Sequence, residues 1–260
     1  MDFPPSRSNT QAYGWKRFAF CFFLVGRVWL RFIQGRTYWR KVPEHLFKTG
    51  PSSLLPILLV NGMGGVIFTV QTARQLVKFG AVNSVGGAFG ASFCRELSPI
   101  ITATIFAGQV GSAFAAEIGA MRVTEQIDAL YTLKTDPIDY LVLPRMIACC
   151  LMMPVLMGFA MICGILGGAF SARQFYQMPP TVFVESIRSF LEPSDLLSIL
   201  SKGLIFGILV GIIGCGWGLT TNGGVKQVGE SATAATVVCS IAIFAADLVV
   251  SLLVFESLPI

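Results

Sequence analysis

The sequence MIACCLMMPVLMGFAMICGILGGAFSA, residues 146–172, decides the fold of this protein. It contains no Asp, Glu, Lys or Arg. About 20 apolar residues are enough for a helix to cross the hydrocarbon core of a bilayer. The stretch therefore predicts a transmembrane helix.

The composition of the whole chain agrees with a membrane environment. Of its 260 residues, 54% are hydrophobic and 13% are charged, and the mean hydropathy is +0.70, which exceeds what a soluble domain of this size carries. Long uncharged runs do not show the alternation of a membrane β-barrel, whereas helices satisfy their own backbone hydrogen bonds in lipid. These features predict an all-α integral membrane protein.

Four further stretches resemble the one at residues 146–172, which gives five predicted spans in all. Residues 54–73 form the first span, and residues 97–116 form the second, extended backward through the Gly- and Ser-rich residues 82–94. Residues 203–225 form the fourth, and residues 231–255 the fifth. An odd number of spans places the two termini on opposite sides of the membrane.

The distribution of positive charge predicts the orientation, since Lys and Arg near the ends of spans favour the cytoplasmic side. Only Asp2 and Glu44 accompany the cations that precede the first span. We therefore expect the amino terminus and the loop 117–145 to be cytoplasmic or stromal, and the segment 173–201 to face the opposite side. A short loop around Lys226 and Glu230 returns to the first side. The cations of the amino-terminal segment are Arg7, Lys16, Arg17, Arg27, Arg31, Arg36, Arg40, Lys41 and Lys48.

The amino-terminal region, residues 1–47, is predicted to be a tail followed by an interfacial amphipathic helix. Arg recurs among aromatic residues over residues 18–40, a pattern typical of a helix that lies along the inner leaflet. A signal peptide is the alternative, although the Arg residues interrupt the apolar stretch. Residues 48–260 then form the five-span domain.

The sequence gives little support for catalysis or metal binding in this chain. His45 is the only histidine, and the seven cysteines lie in apolar stretches without metal-ligand spacing. The chain also lacks a G-x-x-x-x-G-K-[ST] phosphate loop. We therefore predict no catalytic residue, metal or cofactor here, and expect any ATP hydrolysis to occur in another subunit.

The loop 117–145 contains a pattern that predicts a short amphipathic helix at about residues 121–131. Val123, Ile127 and Leu130 fall on one helical face. The helix either rests on its own membrane domain or acts as a coupling helix that inserts into a groove of a cytoplasmic partner. The polar residues of this segment are Arg122, Glu125, Gln126 and Asp128.

Four ionisable residues fall within the predicted spans, where charges are costly and usually functional. Arg95 and Glu96 lie in the outer half of the second span, Lys202 near the outer start of the fourth, and Asp247 in the outer half of the fifth. They form either a neutral network that locks helices together, or a site where Arg95 and Lys202 meet a lipid phosphate.

Three segments of this sequence resemble the MlaE permease family, whose plastid relatives belong to the trigalactosyldiacylglycerol lipid importer. They are RELSP at residues 95–99, AGQVGSAFAAEIGAMRVTEQIDAL at 107–130 and DPIDYLVLPR at 136–145. The resemblance extends over roughly residues 48–255. Two positions differ from the family pattern: Ser98 stands where Gly is expected, and Gln109 where Arg is expected.

The resemblance implies an MlaE-type permease fold and a set of partners. These are a second copy of the chain, a cytoplasmic ABC ATPase that binds ATP and Mg, and an MCE-type lipid-binding protein on the far side. The transported molecule would be phospholipid or a related lipid. The family's ATPase contact maps onto residues 122–130, with Glu125 and Asp128 as the main candidates.

Two other functions fit an apolar chain of this kind, namely an intramembrane lipid-modifying enzyme and a self-sufficient carrier. The enzyme is disfavoured because the acidic pairs, Glu125 with Asp128 and Asp136 with Asp139, lie in a loop without His support. The carrier would transport without an ATPase. The expected location is a bacterial or cyanobacterial inner membrane or a plastid inner envelope.

Overall fold

A computed structural model describes residues 10–33, 38–81 and 84–256 of the chain. Within these ranges the regular elements are all helices. The long helices are rich in apolar residues, as expected of helices that bury their backbone in lipid. The α-helices are α1 (Thr10–Ile33), α2 (Val42–Lys78), α3 (Val85–Phe89), α4 (Ser98–Phe106), α5 (Ser112–Val123), α6 (Gln126–Thr132), α7 (Leu143–Tyr176), α8 (Pro180–Phe190), α9 (Pro193–Leu219) and α10 (Val225–Glu256).

Among the residues that the structure describes, five helical segments are long and apolar enough to cross a membrane, which confirms the predicted number of spans and the all-α class. The segments are longer than the uncharged runs because a helix continues past the first charged residue wherever its backbone stays hydrogen bonded. Their bounds are Trp39–Lys78, Val85–Val123, Ile138–Tyr176, Pro193–Leu219 and Val225–Leu253.

Three π-helical segments interrupt these spans. Gly90–Leu97 and Ala107–Gly111 both lie in the second span, and Ile138–Val142 begins the third. A π-helical turn is rare and is frequently found at functional sites. The first of these segments contains Arg95 and Glu96, two of the four predicted intramembrane charges.

The described residues divide into two compact units. The described residues of the first unit fall within 1–50, 106–152 and 206–243, and those of the second within 51–105, 153–205 and 244–260.

In the first unit, α9 packs tightly on α7. A Cβ atom added to Gly207 would lie 2.7 Å from the Cys149 carbonyl oxygen, so no larger residue fits there. A glycine at this position therefore lets the two helices pack closely.

The second unit is organised around stacked aromatic rings. The centroids of Phe89 and Phe93 are 4.8 Å apart, and Phe183 of α8 lies 5.3 Å from Phe89. A buried polar group sits nearby, where Ser98 donates a hydrogen bond of 2.8 Å to the side-chain oxygen of Asn61. The hydroxyl at a position where glycine is expected is thus accommodated by a specific acceptor, while Gln109 is exposed.

Several predicted boundaries differ from the observed ones. The predicted interfacial helix at residues 18–40 is instead α1, Thr10–Ile33, with a 3₁₀ turn at Trp39–Lys41, and residues 34–37 lie outside the described residues. The segment 173–201 contains α8 and the start of α9, and Lys226 and Glu230 belong to α10. The predicted spans ended at the first charged residue, whereas the observed helices continue past such residues.

Candidate functional site

Lys202 of α9 is the centre of a charged cluster in the second unit. Its Nζ atom lies 2.7 Å from Oε2 of Glu96 and 2.9 Å from Oδ1 of Asp247. It also donates to the hydroxyl of Ser251 at 2.9 Å. The Lys202 side chain is only 1% exposed. Two carboxylates therefore share one buried ammonium, and we call Glu96, Lys202 and Asp247 the acidic triad.

The acidic triad is assembled from three elements of the second unit. The π-helical segment supplies Glu96, α9 supplies Lys202, and α10 supplies both Asp247 and Ser251. Ser251 donates to the carboxylate of Glu96 at 3.1 Å, and the carbonyl of Arg95 lies 3.4 Å from the Lys202 ammonium. An ammonium has three protons to donate, so these contacts saturate it.

The side chain of Arg95 points to a different partner from those the sequence suggested. Its Nη2 atom lies 2.7 Å from Oδ2 of Asp195 rather than beside Glu96 or Asp247. Asp195 also accepts a hydrogen bond from the backbone N–H of Glu192, at the start of α9. The predicted set of two cations and two anions thus gains a third anion, and it is not neutral when all groups are ionised.

The structure brings three of the four predicted intramembrane residues into direct contact and places the fourth in a neighbouring ion pair. Within the second unit, the Lys202 ammonium is saturated by Glu96, Asp247 and Ser251. The Arg95 side chain, by contrast, is 32% exposed. Chemically, the acidic triad can hold three helical elements together, and Arg95 can additionally present a guanidinium to an anion.

The predicted coupling helix is divided in the structure. α5 continues to Val123, and a turn follows in which Glu125 has a left-handed φ of 58°. α6 begins only at Gln126. The regular apolar spacing suggested one helix across this turn, but Glu rarely adopts a left-handed conformation, so the sequence contained no signal for it.

The turn and α6 form an exposed polar edge of the first unit. Arg122 and Asp128 pair at 2.7 Å across the turn, and Gln126 donates to the Thr124 hydroxyl at 3.0 Å. Ile127 is fully buried and anchors α6, whereas Leu133 just beyond it is 73% exposed. The segment thus combines one anchoring side chain with polar and apolar groups open to a partner.

A second charged cluster, which the sequence analysis did not identify, lies in the first unit. Glu117 of α5 contacts the ammonium of Lys48 in α2, and its other oxygen lies 3.3 Å from Nη2 of Arg145 in α7. Arg145 also donates to the carbonyl of Leu141 at 3.0 Å. Two cations share one carboxylate here, and we call Lys48, Glu117 and Arg145 the basic triad.

Some of the missed residues had a sequence signal and others did not. Asp195 follows Pro193, and Pro followed by an acidic residue is typical of the first turn of a helix. That pattern could have placed Asp195 at the start of the fourth span. The sequence pattern places Glu117 and Arg145 only at the ends of a loop, and Ser251 has no distinguishing pattern.

Five spanning helices and ion pairs within them define a multi-pass membrane protein. The model of the family described as "Permease MlaE" matches residues 42–253. The chain therefore belongs to the MlaE permease family.

Curated relatives extend along nearly the whole chain. A probable ABC transporter permease protein of Synechocystis sp. is 48% identical over 241 residues, covering 93% of this chain and 92% of the relative. The chloroplastic protein TRIGALACTOSYLDIACYLGLYCEROL 1 of Arabidopsis thaliana is 40% identical over 255 residues, covering 98% of this chain and 73% of that protein. A probable ABC transporter permease protein of Rickettsia prowazekii is 37% identical over 219 residues, covering 84% and 85%.

Proposed function

We propose that this chain is the membrane-spanning permease subunit of an ABC transporter that moves phospholipid or a related lipid. The observation that carries the proposal is its similarity, over nearly its full length, to two kinds of relative. One is named as a probable ABC transporter permease, and the other carries the name of a lipid, trigalactosyldiacylglycerol. The five spans and the intramembrane charges support a role within the bilayer.

ATP hydrolysis is assigned to a separate subunit that binds ATP and Mg. The exposed edge formed by the turn and α6 is the proposed contact with that ATPase. The geometry favours this role because Ile127 fixes α6 to the first unit while Leu133 and Asp128 remain exposed. The proposed ATPase-coupling residues are Arg122, Glu125, Gln126 and Asp128.

The transporter is further proposed to contain two copies of this chain and an MCE-type lipid-binding protein on the far side of the membrane. The proposed location is a bacterial or cyanobacterial inner membrane, or a plastid inner envelope, with the amino terminus cytoplasmic or stromal. Cysteines introduced at Gln126 and Glu185, both exposed, should then react with an impermeant thiol reagent from opposite sides. Reaction of both from one side would refute this topology.

Two roles are proposed for the intramembrane charges, one for each kind of contact. Lys202 acts as a lock, because two carboxylates and a hydroxyl already surround its ammonium. Arg95 is the candidate for contact with a lipid phosphate, because a guanidinium can hold two oxygens at once and its side chain is partly exposed.

The experiment that tests the function is purification of the permease with its native partners, followed by reconstitution into liposomes. Mass spectrometry should identify an ABC ATPase, an MCE-type protein and bound lipid. Transfer of a fluorescent phosphatidylglycerol to acceptor liposomes should require ATP. Equal transfer by the permease alone would favour a self-sufficient carrier and refute the proposal.

The coupling surface is tested by the double substitution Glu125→Lys and Asp128→Lys. Reversal of two exposed charges should leave the permease folded but release the ATPase. Glu185→Lys on α8 is the control for a charge reversal away from α6, because Glu185 is exposed and belongs to the second unit. If the double variant retains its ATPase and transfers lipid normally, α6 is not the coupling element.

A further inference from the structure

One face of α1 is continuously buried against the rest of the first unit. Leu24 and Val28 are each 1% exposed, and Cys21 is 7% exposed. Arg17 and Arg31 flank these three residues, and the successive spacings of four, three, four and three residues keep all five on one helical face. α1 therefore packs through a row of buried apolar side chains that has an arginine at each end.

The first arginine joins α1 to the connection between α9 and α10. Arg17 donates to the carbonyl of Thr220 at 3.1 Å and to the hydroxyl of Ser231 at 2.9 Å. The contact between α1 and α9 is close, because a Cβ atom added to Gly216 would lie 2.4 Å from Sγ of Cys21. The amino-terminal half of α1 is thus fixed to the end of α9 and the start of α10.

The second arginine joins α1 to the residues that follow α6. Nη2 of Arg31 lies 2.5 Å from Oδ2 of Asp136, and Nη1 of Arg31 lies 2.7 Å from Oδ1 of Asp139. The other oxygen of Asp136 accepts a hydrogen bond of 3.0 Å from the backbone N–H of Ile138, at the start of a π-helical segment. Burial disfavours the Arg31 cation, but its interactions with Asp139 and Asp136 outweigh this effect, so the pKa of Arg31 is raised.

The Arg31 pairs are well placed to follow a movement of α6. α6 ends at Thr132, and Asp136 lies only four residues further along the chain. Each of the three side chains in the pairs is less than one third exposed, so water screens them only partly. A displacement of α6 would therefore pull on α1 through these pairs.

We propose that α1 is a strut that carries the displacement of α6 to the α9–α10 connection, with Arg31 and Arg17 as its positioning residues. The inference rests on the proposed function, since it assumes that an ATPase moves α6. A competing route runs directly along the chain from residues 138–142 into α7, and it does not involve α1. The two routes differ in what the loss of Arg31 would do.

The test compares five variants in the reconstituted complex. They are Arg31→Gln, Arg17→Gln, the double substitution Asp136→Asn and Asp139→Asn, the triple variant that adds Arg31→Gln to that double substitution, and Arg27→Gln. Arg27→Gln is the matched control, because it removes a positive charge from α1 one turn before Arg31, at a side chain that lies over the Phe23 ring. ATP hydrolysis and transfer of fluorescent phosphatidylglycerol between liposomes are measured in the same samples, together with thermal stability in detergent.

The strut predicts that Arg31→Gln keeps the ATPase bound and hydrolysing ATP, while lipid transferred per ATP falls by about tenfold, within the range of measured couplings between sites. The aspartate double variant should match it. Combining all three substitutions should lower transfer no further, because they remove the same pairs. Arg17→Gln should also lower transfer per ATP, and Arg27→Gln should not.

Transfer per ATP that is unchanged in Arg31→Gln would overturn the strut and favour the route through α7. An equal loss in Arg27→Gln would overturn it too. If the wild-type complex shows no ATP-dependent transfer, the proposed function fails. The strut is then tested separately, by measuring amide hydrogen exchange of the purified permease. Arg31→Gln must speed exchange in both α1 and residues 136–142, and unchanged exchange in either would overturn it.

Discussion

The basic triad of the first unit and the acidic triad of the second have opposite compositions. In the basic triad, Lys48 and Arg145 share the carboxylate of Glu117. In the acidic triad, Glu96 and Asp247 share the ammonium of Lys202. Each triad draws its members from three different helical segments, so both can hold segments together, but one retains a positive charge and the other a negative charge when fully ionised.

The triads also differ in which member is buried. The shared group of the acidic triad, Lys202, is 1% exposed, whereas the shared group of the basic triad, Glu117, is 32% exposed. Lys48 is 59% exposed and has a long apolar stem that lets its ammonium reach water or headgroups. Removing the shared group should therefore be far more damaging in the acidic triad.

The largest effect is expected for Lys202→Met. This change retains the apolar volume but leaves Glu96 and Asp247 without their shared cation, which should cost about 3–5 kcal/mol of unfolding free energy. Unfolding by SDS titration measures the loss. The triple variant with Glu96→Gln and Asp247→Asn should recover most of it, because no buried charge is then left unpaired. No recovery in the triple variant would mean that packing, not charge, determines the loss.

Glu117→Gln should have a smaller effect, about 1–3 kcal/mol, even though it also removes a shared group. Arg145 is 8% exposed and loses its anion, but it keeps the Leu141 carbonyl as an acceptor. The same SDS titration provides the comparison. A loss as large as that of Lys202→Met would show that exposure does not explain the difference between the triads.

Much of the fold could be predicted because it depends on local composition. Five apolar runs predicted five spans. The depth of four charges along those runs suggested a network or a phosphate site, and the structure brings Glu96, Lys202 and Asp247 into contact. The partner of Arg95 could not be predicted in the same way, since Asp195 lay in a segment that the sequence placed outside the spans. The basic triad was missed for a related reason: charge at Glu117 and Arg145 ended the predicted spans, although the helices continue through both residues.

Arg95→Met tests whether Arg95, which lies next to the acidic triad in the chain, contacts substrate. The expected loss of unfolding free energy is about 1–2 kcal/mol. The loss should be moderate because Asp195 lies in the first turn of α9, where the helix dipole stabilises a carboxylate. The double variant with Asp195→Asn should restore stability in the SDS titration. If it remains defective in lipid transfer, Arg95 contacts the lipid phosphate. Full recovery of transfer would leave the ion pair as its only role.

The smallest effect is expected for Lys48→Met, the counterpart of Lys202→Met in the basic triad. Both substitutions replace a Lys that contacts a carboxylate inside the same chain, but Lys48 is exposed and shares its carboxylate with a second cation, whereas Lys202 is buried and is itself shared by two carboxylates. Exposed ion pairs contribute about 0–1 kcal/mol, and Arg145 remains to balance Glu117 after the change. The SDS titration of Lys48→Met should therefore nearly overlay that of the wild type. A loss of several kcal/mol would mean that the exposure of Lys48 does not make its ion pair weak, and it would contradict the comparison between the two triads.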